Sequence, residues 1–478
     1  MFCRVAEAKR AAIPIGVAAA CAIAAFFLIA YFSGTNKQPR PNVLLVVIDT
    51  LREDRVYGEQ NGVPVMPNLR AFAEESLQFS NAAAQCTWTR PSVASIFTSL
   101  YFDVHKVFFS GDESHPEVPV QGILPKSVET LPEYLKNAGY TTWALQTNVN
   151  LHEDFGFARG FDEYHYGSHD PLASVVTDIA LEKARKLHDP FFMYVHFMDP
   201  HKPYKAPKEV GQVFGPDPRL DDSDRVKVEE SVPYTADQVH FFFGETDKRE
   251  YGPMSETGRE AVRRLYDIEC RFMDEHLGRL LDEIQAQHPN TLIIVVSDHG
   301  EEFWEHGSLR HCTGMYAEQL DIPLLIHGPG IEPGVVDTLI EALDILPTIS
   351  AYLGLEPNPI WQGRNILNPE RLEERPAFSK TLGVWPGSLM GTETVIQGRF
   401  KLIHKIRKGK MELYDVLADP GDLIDLASDR PELVRELSAL LQEHAEQSAS
   451  LVELYEIEDL ETTLDEETIE RLRQLGYL

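Results

Sequence analysis

The sequence predicts an α/β fold: a doubly wound, mostly parallel sheet with a small C-terminal α+β subdomain and an N-terminal transmembrane helix. Three observations carry this expectation. Short apolar runs without alternation recur between helical patterns, as parallel strands covered on both faces require. Past Ile366 the texture changes to a hairpin followed by one amphipathic helix. At the other end, Arg4, Lys9 and Arg10 precede an uncharged stretch from Ala11 to Phe32, and about 20 apolar residues span a bilayer as helix.

The first element in chain order is the apolar stretch. Ala11–Phe32 ends in Phe26, Phe27, Leu28, Ile29, Tyr31 and Phe32, with no Ala-x-Ala cleavage site after them. It therefore reads as an uncleaved single-pass anchor rather than a signal peptide. Ala18-Ala19-Ala20-Cys21 would suit a lipoprotein, but the apolar run continues past the cysteine. Positive charge on the N-terminal side puts that end in the cytoplasm and Pro41 onward outside it, at the cell membrane. Buried strands are expected at Asn42–Ile48, Thr141–Gln146, Phe191–Phe197, Leu292–Val296 and Pro323–His327. Helices are expected at Pro67–Ser76, Pro91–Ser99, Leu131–Asn137, Leu172–Leu187 and Arg259–Gln287. The polar, Pro/Gly-punctuated stretch Pro207–Ser255 reads as a surface excursion. Arg399–Ile406 and Met411–Val416 form the hairpin around a basic turn, and Pro431–Gln447 is the helix, opened by its proline. The expected divisions are 1–36 (cytoplasmic stub and anchor), 37–370 (catalytic domain), 371–450 (C-terminal subdomain) and 451–478 (acidic helical tail).

Composition narrows the function. Lys+Arg total 44 against Asp+Glu 75, a net charge of −31. That balance argues against nucleic acid, which needs clustered cations, and against broad docking on an anionic membrane surface. Five cysteines are too few and too scattered for a disulfide framework or a Cys-based zinc site. Cys86 and Cys312 flank motifs expected at the active edge, where pairing would leave Cys270 free. Independent buried thiols are the simpler expectation.

In an open parallel sheet, ligands sit outside the carboxyl ends of the strands. The residues just after the expected strands are Asp49, Asn148, Asp199 with His201, and Asp298 with His299. A lone Asp there is a turn former or helix cap. Several carboxylates on one edge repel each other unless a cation holds them, which points to a divalent metal. Cys86–Thr98 (CTWTRPSVASIFT) supplies a nucleophile. Pro91 can open a helix, so Thr89 or Arg90 falls at its N-cap. Read alone that is plain capping. Beside a metal, a Thr hydroxyl at a helix N-terminus can lose its proton and attack an anionic ester, whose oxygens the free N–H groups stabilise.

Pro41–Arg52 (PNVLLVVIDTLR) resembles the opening of the sulfatases, within the alkaline phosphatase superfamily. Asp199–Tyr204 (DPHKPY) and Ser297–Glu302 (SDHGEE), with Glu305-His306-Gly307 behind, are similar too. So are Lys401-Leu402-Ile403 and Glu412–Asp415 up to Asp419-Pro420. The resemblance covers Pro41 to Gln447, in order. It implies a doubly wound catalytic domain, a C-terminal antiparallel sheet with a helix, and hydrolysis of sulfate or phosphate esters.

The departures bear on mechanism. Sulfatases carry Cys or Ser in a Cys/Ser-x-Pro-x-Arg motif, oxidised to formylglycine, which is nucleophile and metal ligand. Counting back from Thr98 places Thr89 at that position, with Pro91 and Ser92 in register and Val93 replacing the Arg. Thr cannot become formylglycine, so none is expected. A register using Cys86 would put Trp88 in place of the proline and lengthen the spacing to Thr98. Thr50 stands where the family has a second Asp, and His299 where it usually has Asn. The set Asp49, Thr89, Asp298 and His299 resembles superfamily relatives that transfer phosphoryl groups through a metal-bound Thr.

By family position, His201 would hold an anionic oxygen or protonate the leaving group, although it also reads as a cap of a Pro-rich loop. His311 lies within a residue of an anion-binding Lys of the family. Arg90 and Asn148 complete the expected substrate contacts; solvated or capping roles suit the same residue types. His196 reads as a core histidine, His105 and His306 as structural or as supports behind the site residues, and Glu301 and Glu302 as orienting His299. One divalent metal is implied. His299 moves the preference from calcium toward manganese or zinc, with magnesium open. Asp199 and His201 are the only obvious stock for a second ion.

Three functions are compatible with these residues. The first is a membrane-anchored, metal-dependent hydrolase of sulfuric or phosphoric esters, working through a covalent Thr89 intermediate on a small anionic ester or an envelope glycan or lipid. The second is a transferase passing phosphoglycerol or phosphoethanolamine to an envelope acceptor, a group that usually carries several membrane helices. The third is an inactive envelope scaffold, which the intact metal set disfavours. Oligomeric state is not written in the sequence.

Overall fold

The computed structural model describes residues 40–463 except 108, 113–114, 168–170, 203, 205, 208, 216–255, 313, 383–390 and 459. Residues 1–40 and 41–478 form separate units, and all secondary structure among the described residues lies in the second. The expected anchor Ala11–Phe32 lies outside the described residues. Among those, no helix is long and apolar enough to cross a membrane.

The core is an eight-stranded sheet. In chain order its strands are β1 (Asn42–Ile48), β2 (Leu77–Phe79), β3 (Thr141–Gln146), β4 (Glu163–Tyr166), β5 (Phe191–Phe197), β6 (Thr291–Ser297), β7 (Leu324–His327) and β8 (Gly334–Val336). They lie in the order β8-β2-β7-β6-β1-β5-β3-β4. Every residue of β1, β5 and β6 is buried, because helices cover both faces. Val43, Leu45 and Val47 point into one apolar cluster with Val93, Ile96 and Phe97 of a helix at Thr89–Thr98. Leu44, Val46 and Ile48 point into another, which holds Leu277, Leu280 and Leu281 of the helix Glu256–Gln287. Continuous hydrophobicity in these strands is thus the direct mark of a doubly wound sheet.

One strand departs from the expectation. β7, read as parallel with its neighbours, runs antiparallel to β6. Between them the described residues form only short elements such as the helix Ala317–Leu320. Without a long helix to carry the chain back across the sheet, it re-enters at the end it left.

The C-terminal subdomain is a four-stranded antiparallel sheet of Ala377–Leu382, Gly391–Gln397, Phe400–Lys405 and Lys410–Asp415. Its apolar side packs on Leu437 and Leu441 of the helix Pro431–Leu454. That helix runs past the expected boundary at 450. Of the expected tail, Glu461–Thr463, with two β-branched threonines, pairs antiparallel with His115–Gly122, and residues 464–478 lie outside the described residues. Cys86, Cys270 and Cys312 are free thiols.

Candidate active site

Adjacent strands set the geometry. β1 and β6 pair in parallel with Ile48 opposite Ser297, so Asp49 and Asp298 leave the sheet side by side. The chain then turns sharply. Thr50 adopts a left-handed φ of 57°, uncommon for a β-branched residue and a mark of a constrained site. That turn directs its N–H to Asp298 Oδ1 at 3.2 Å, and the His299 N–H donates to the same oxygen at 2.9 Å. Gly300 comes next, where backbone passes backbone. A Cβ there would stand 2.1 Å from the Glu318 carbonyl oxygen. Gly300→Ala should therefore displace the Asp298–His299 turn and lower stability by about 1–3 kcal/mol, as overpacking does. Denaturant unfolding measures this directly.

The residues present fit a cation. Asp49, Asp298 and His299 are fully buried, and each offers a ligand atom within 4.8 Å of the others. His299 Nε2 lies 3.5 Å from Asp298 Oδ2 and 3.9 Å from Asp49 Oδ1. Among the described residues, none of these three atoms has a hydrogen-bond partner. Buried, unpaired donor atoms converging on one point are what a divalent ion satisfies. His299 Nδ1 is engaged with the Gly300 carbonyl at 2.9 Å, which makes it the protonated nitrogen and leaves Nε2 as the lone pair. Burial, reinforced by Asp298, pushes the Asp49 carboxyl well above the ordinary carboxylate range. Burial also raises Asp298, against the pull of His299.

Thr89 lies at the start of the helix Thr89–Thr98, all ten residues of which are buried. The helix begins two residues before Pro91, whose missing N–H goes unnoticed in the first turn. Thr89 Oγ1 donates to Asp49 Oδ2 at 3.4 Å. Asn148 Nδ2 donates to the same carboxylate oxygen at 2.6 Å and to Thr89 Oγ1 at 3.1 Å. The structure thus brings Asp49, Thr89, Asn148, Asp298 and His299 together. Val93 is buried in the core.

A row of histidines borders this cluster. The His311 ring lies 4.6 Å from that of His299 and 5.2 Å from that of His201. All three are buried, and burial holds the His201 and His311 pKa values well below the usual imidazole value. Glu301, expected to orient His299, instead faces His311 Nδ1 at 3.2 Å. Burial pushes its carboxyl up to about 8. Glu302 accepts from the backbone of His306 and Ser308 and from Gln319. Arg90 is fully buried, bonded to Asn150.

His196, read as a core histidine, is at the site. Its Nε2 is 3.8 Å from Asp49 Oδ2 and lacks a hydrogen-bond partner among the described residues, while Nδ1 pairs with Thr147 Oγ1 at 3.0 Å. Its place near the carboxyl end of a central strand was the available signal. His105 bonds Ser95, and His306 stacks on Tyr316 at 3.5 Å and reaches the Asp422 carbonyl; both are structural.

Comparison with known proteins agrees with the motifs. The sulfatase family model matches residues 41–355. An uncharacterized sulfatase of Escherichia coli (strain K12) is 25% identical over 460 residues, covering 82% of this chain and 84% of its own length. A choline-sulfatase of Rhizobium meliloti (strain 1021) is 24% identical over 452 residues, with 82% of each chain covered. Among solved structures, a phosphonate monoester hydrolase from Silicibacter pomeroyi matches with a TM-score of 0.64 at 20% identity, over 86% of this chain and 96% of that one. At that identity the likeness bears on the fold.

Proposed function

The chain belongs to the sulfatase family and is an ester hydrolase, and from that premise we propose that it is metal-dependent, passes the ester's central group through Thr89, and favours phosphate or phosphonate esters over sulfate esters. The observation that carries this is the placement of Thr89 Oγ1 against Asp49, beside three buried ligand atoms without partners. A divalent ion held by Asp49, Asp298 and His299, with manganese or zinc preferred for the imidazole, would supply positive charge for the hydroxyl oxygen and the ester oxygens.

The protein's own groups do the rest. Thr89 Oγ gives up its proton and forms the bond to phosphorus as the leaving oxygen departs. N–H groups at the helix start hold the other ester oxygens. His201, neutral because burial holds its pKa low and with Nδ1 against the Lys202 carbonyl, takes up the proton lost by Thr89 at Nε2 and passes it to the departing oxygen. Water then attacks phosphorus, and Thr89 Oγ leaves with the electron pair and takes up the proton the water sheds. This double displacement is familiar for phosphoryl groups, whereas sulfate presents less negative charge for the same cation to stabilise. The apolar run Ala11–Phe32 supports an envelope location.

The test is a panel of aryl sulfate, phosphate monoester, diester and phosphonate monoester on the manganese- or zinc-loaded full chain. A phosphorus ester should lead the aryl sulfate by about tenfold or more in kcat/KM, about 1.4 kcal/mol of transition-state binding. An aryl sulfate in the lead overturns the preference. Capture of the group by added alcohol, with no product released in water, would turn the hydrolase into a transferase.

A further inference from the structure

Two neighbouring residue pairs clasp the start of the nucleophile's helix. Thr89 meets Asn148, and Arg90 meets Asn150. The Asn148 amide has one orientation, because its Oδ1 accepts from the Asn150 N–H at 2.9 Å. Its Nδ2, with both protons, must then face the other way. It donates to Asp49 Oδ2 at 2.6 Å and to Thr89 Oγ1 at 3.1 Å. Asn150 is held in turn by Arg90. The guanidinium donates to its Oδ1 at 2.9 Å and its carbonyl at 3.2 Å, and lies 3.7 Å over the Phe155 ring.

We infer that Asn148 is a catalytic residue, its Nδ2–H bonding the Thr89 oxygen through both covalent steps, and that Arg90 is a positioning residue acting through Asn150. The inference rests on Thr89 being the nucleophile. In the first step Thr89 Oγ forms the bond to phosphorus, the bond from phosphorus to the leaving oxygen breaks, and the proton lost from Thr89 ends on that departing oxygen. A hydrogen bond to an oxygen carrying charge is about twice as strong as one to a neutral hydroxyl. The Asn148 N–H therefore favours the reacting form over the resting one, which is what raises kcat. In the second step water bonds to phosphorus and Thr89 Oγ leaves with the electron pair before taking up the proton the water sheds, so the same N–H meets the same charge again. Arg90 does not touch the oxygen; it fixes the turn that aims the amide.

Asn148→Leu removes the donors at similar volume, and Asn148→Ala serves as a second variant should the leucine impair folding. The measurements are kcat and KM on an aryl phosphonate monoester and a phosphodiester with the manganese-loaded full chain, together with metal content. The expected result is a loss of about 100-fold in kcat, KM within about threefold, and metal retained. Arg90→Lys keeps charge but loses the fork, and should lower kcat with little further loss when combined with Asn148→Leu. A raised KM at unchanged kcat would make Asn148 a substrate contact and overturn the inference. Lost metal would do the same, by showing that it acts through Asp49. Independent, multiplicative losses would remove the Arg90 half. Turnover in Thr89→Ala sinks the proposed nucleophile itself, a separate failure with its own readout.

Discussion

Asp298→Asn is expected to lose bound metal and turnover together, and yet to melt at a higher temperature than the parent once both are stripped of metal. Both effects come from one cause. Two carboxylates are buried side by side, and each is raised in the folded protein, Asp49 by burial and then by Asp298, and Asp298 by burial. A group whose folded pKa exceeds its unfolded one binds more protons in the folded state, so stability falls as pH rises through the window between them. At neutral pH the metal-free site is therefore a strain on the fold. Asparagine removes one of the opposing charges and relieves it, at the loss of a ligand. A cation relieves it by displacing the protons, so metal affinity should rise with pH. The melting temperature gained on adding manganese should be larger at pH 8 than at pH 5. His299→Ala separates the two effects. It removes a ligand atom without touching the carboxylate pair, and should weaken metal binding by roughly 100-fold or more with no gain in metal-free stability. Metal content after dialysis and calorimetry with and without chelator measure all of this. Unchanged metal in both variants would sink the site.

The sheet and the Asp/His cluster were legible in the sequence for the same reason. Strands such as Asn42–Ile48 and Phe191–Phe197 are buried on both faces, so their hydrophobicity does not alternate and their extents stand out. Asp49 and Asp298 stand immediately past the ends of two paired strands, and the parallel register alone places them. The strands Ala377–Leu382 and Gly391–Gln397 were not legible. Their buried positions include Ser379, Thr381, Thr392 and Thr394, so a one-sided sheet leaves no apolar run to find. The direction of Leu324–His327 was hidden as well, because a short strand carries no mark of its polarity; the missing long crossover was the clue. Side-chain pairing at the site was beyond sequence altogether. Glu301 could equally have oriented His299 or His311, and only the turn at Arg310, with a φ of 90°, brings His311 to it. The burial of Arg90 against Phe155 joins residues 65 apart in the chain, and nothing in either segment announces it.

Thr89→Ala is expected to reduce kcat by about 10⁴-fold or more, as loss of a nucleophile does, while fold and metal content stay largely intact. Thr89 shares Asp49 with the proposed metal site but is not one of the three atoms whose buried lone pairs demand a cation. Removing its hydroxyl leaves those three in place. Thr89→Ser keeps the oxygen and should retain part of the activity. Its loss comes from rotation, since a β-branched side chain has few rotamers and serine has more, so the oxygen spends less time under the Asn148 amide. Cys86 tests the register from the other side. It is fully buried beside Trp88, its Sγ 3.5 Å from Thr381 Oγ1, and burial pushes its thiol up to about 12. A thiol so placed is neither a ready nucleophile nor a member of the ligand cluster. Cys86→Ala should thus leave turnover near that of the parent. Substantial turnover in Thr89→Ala together with loss in Cys86→Ala would move the nucleophile to Cys86. Intact-protein mass spectrometry would then have to find an aldehyde at that residue, and the preference for phosphorus esters would lose its chemical basis with it.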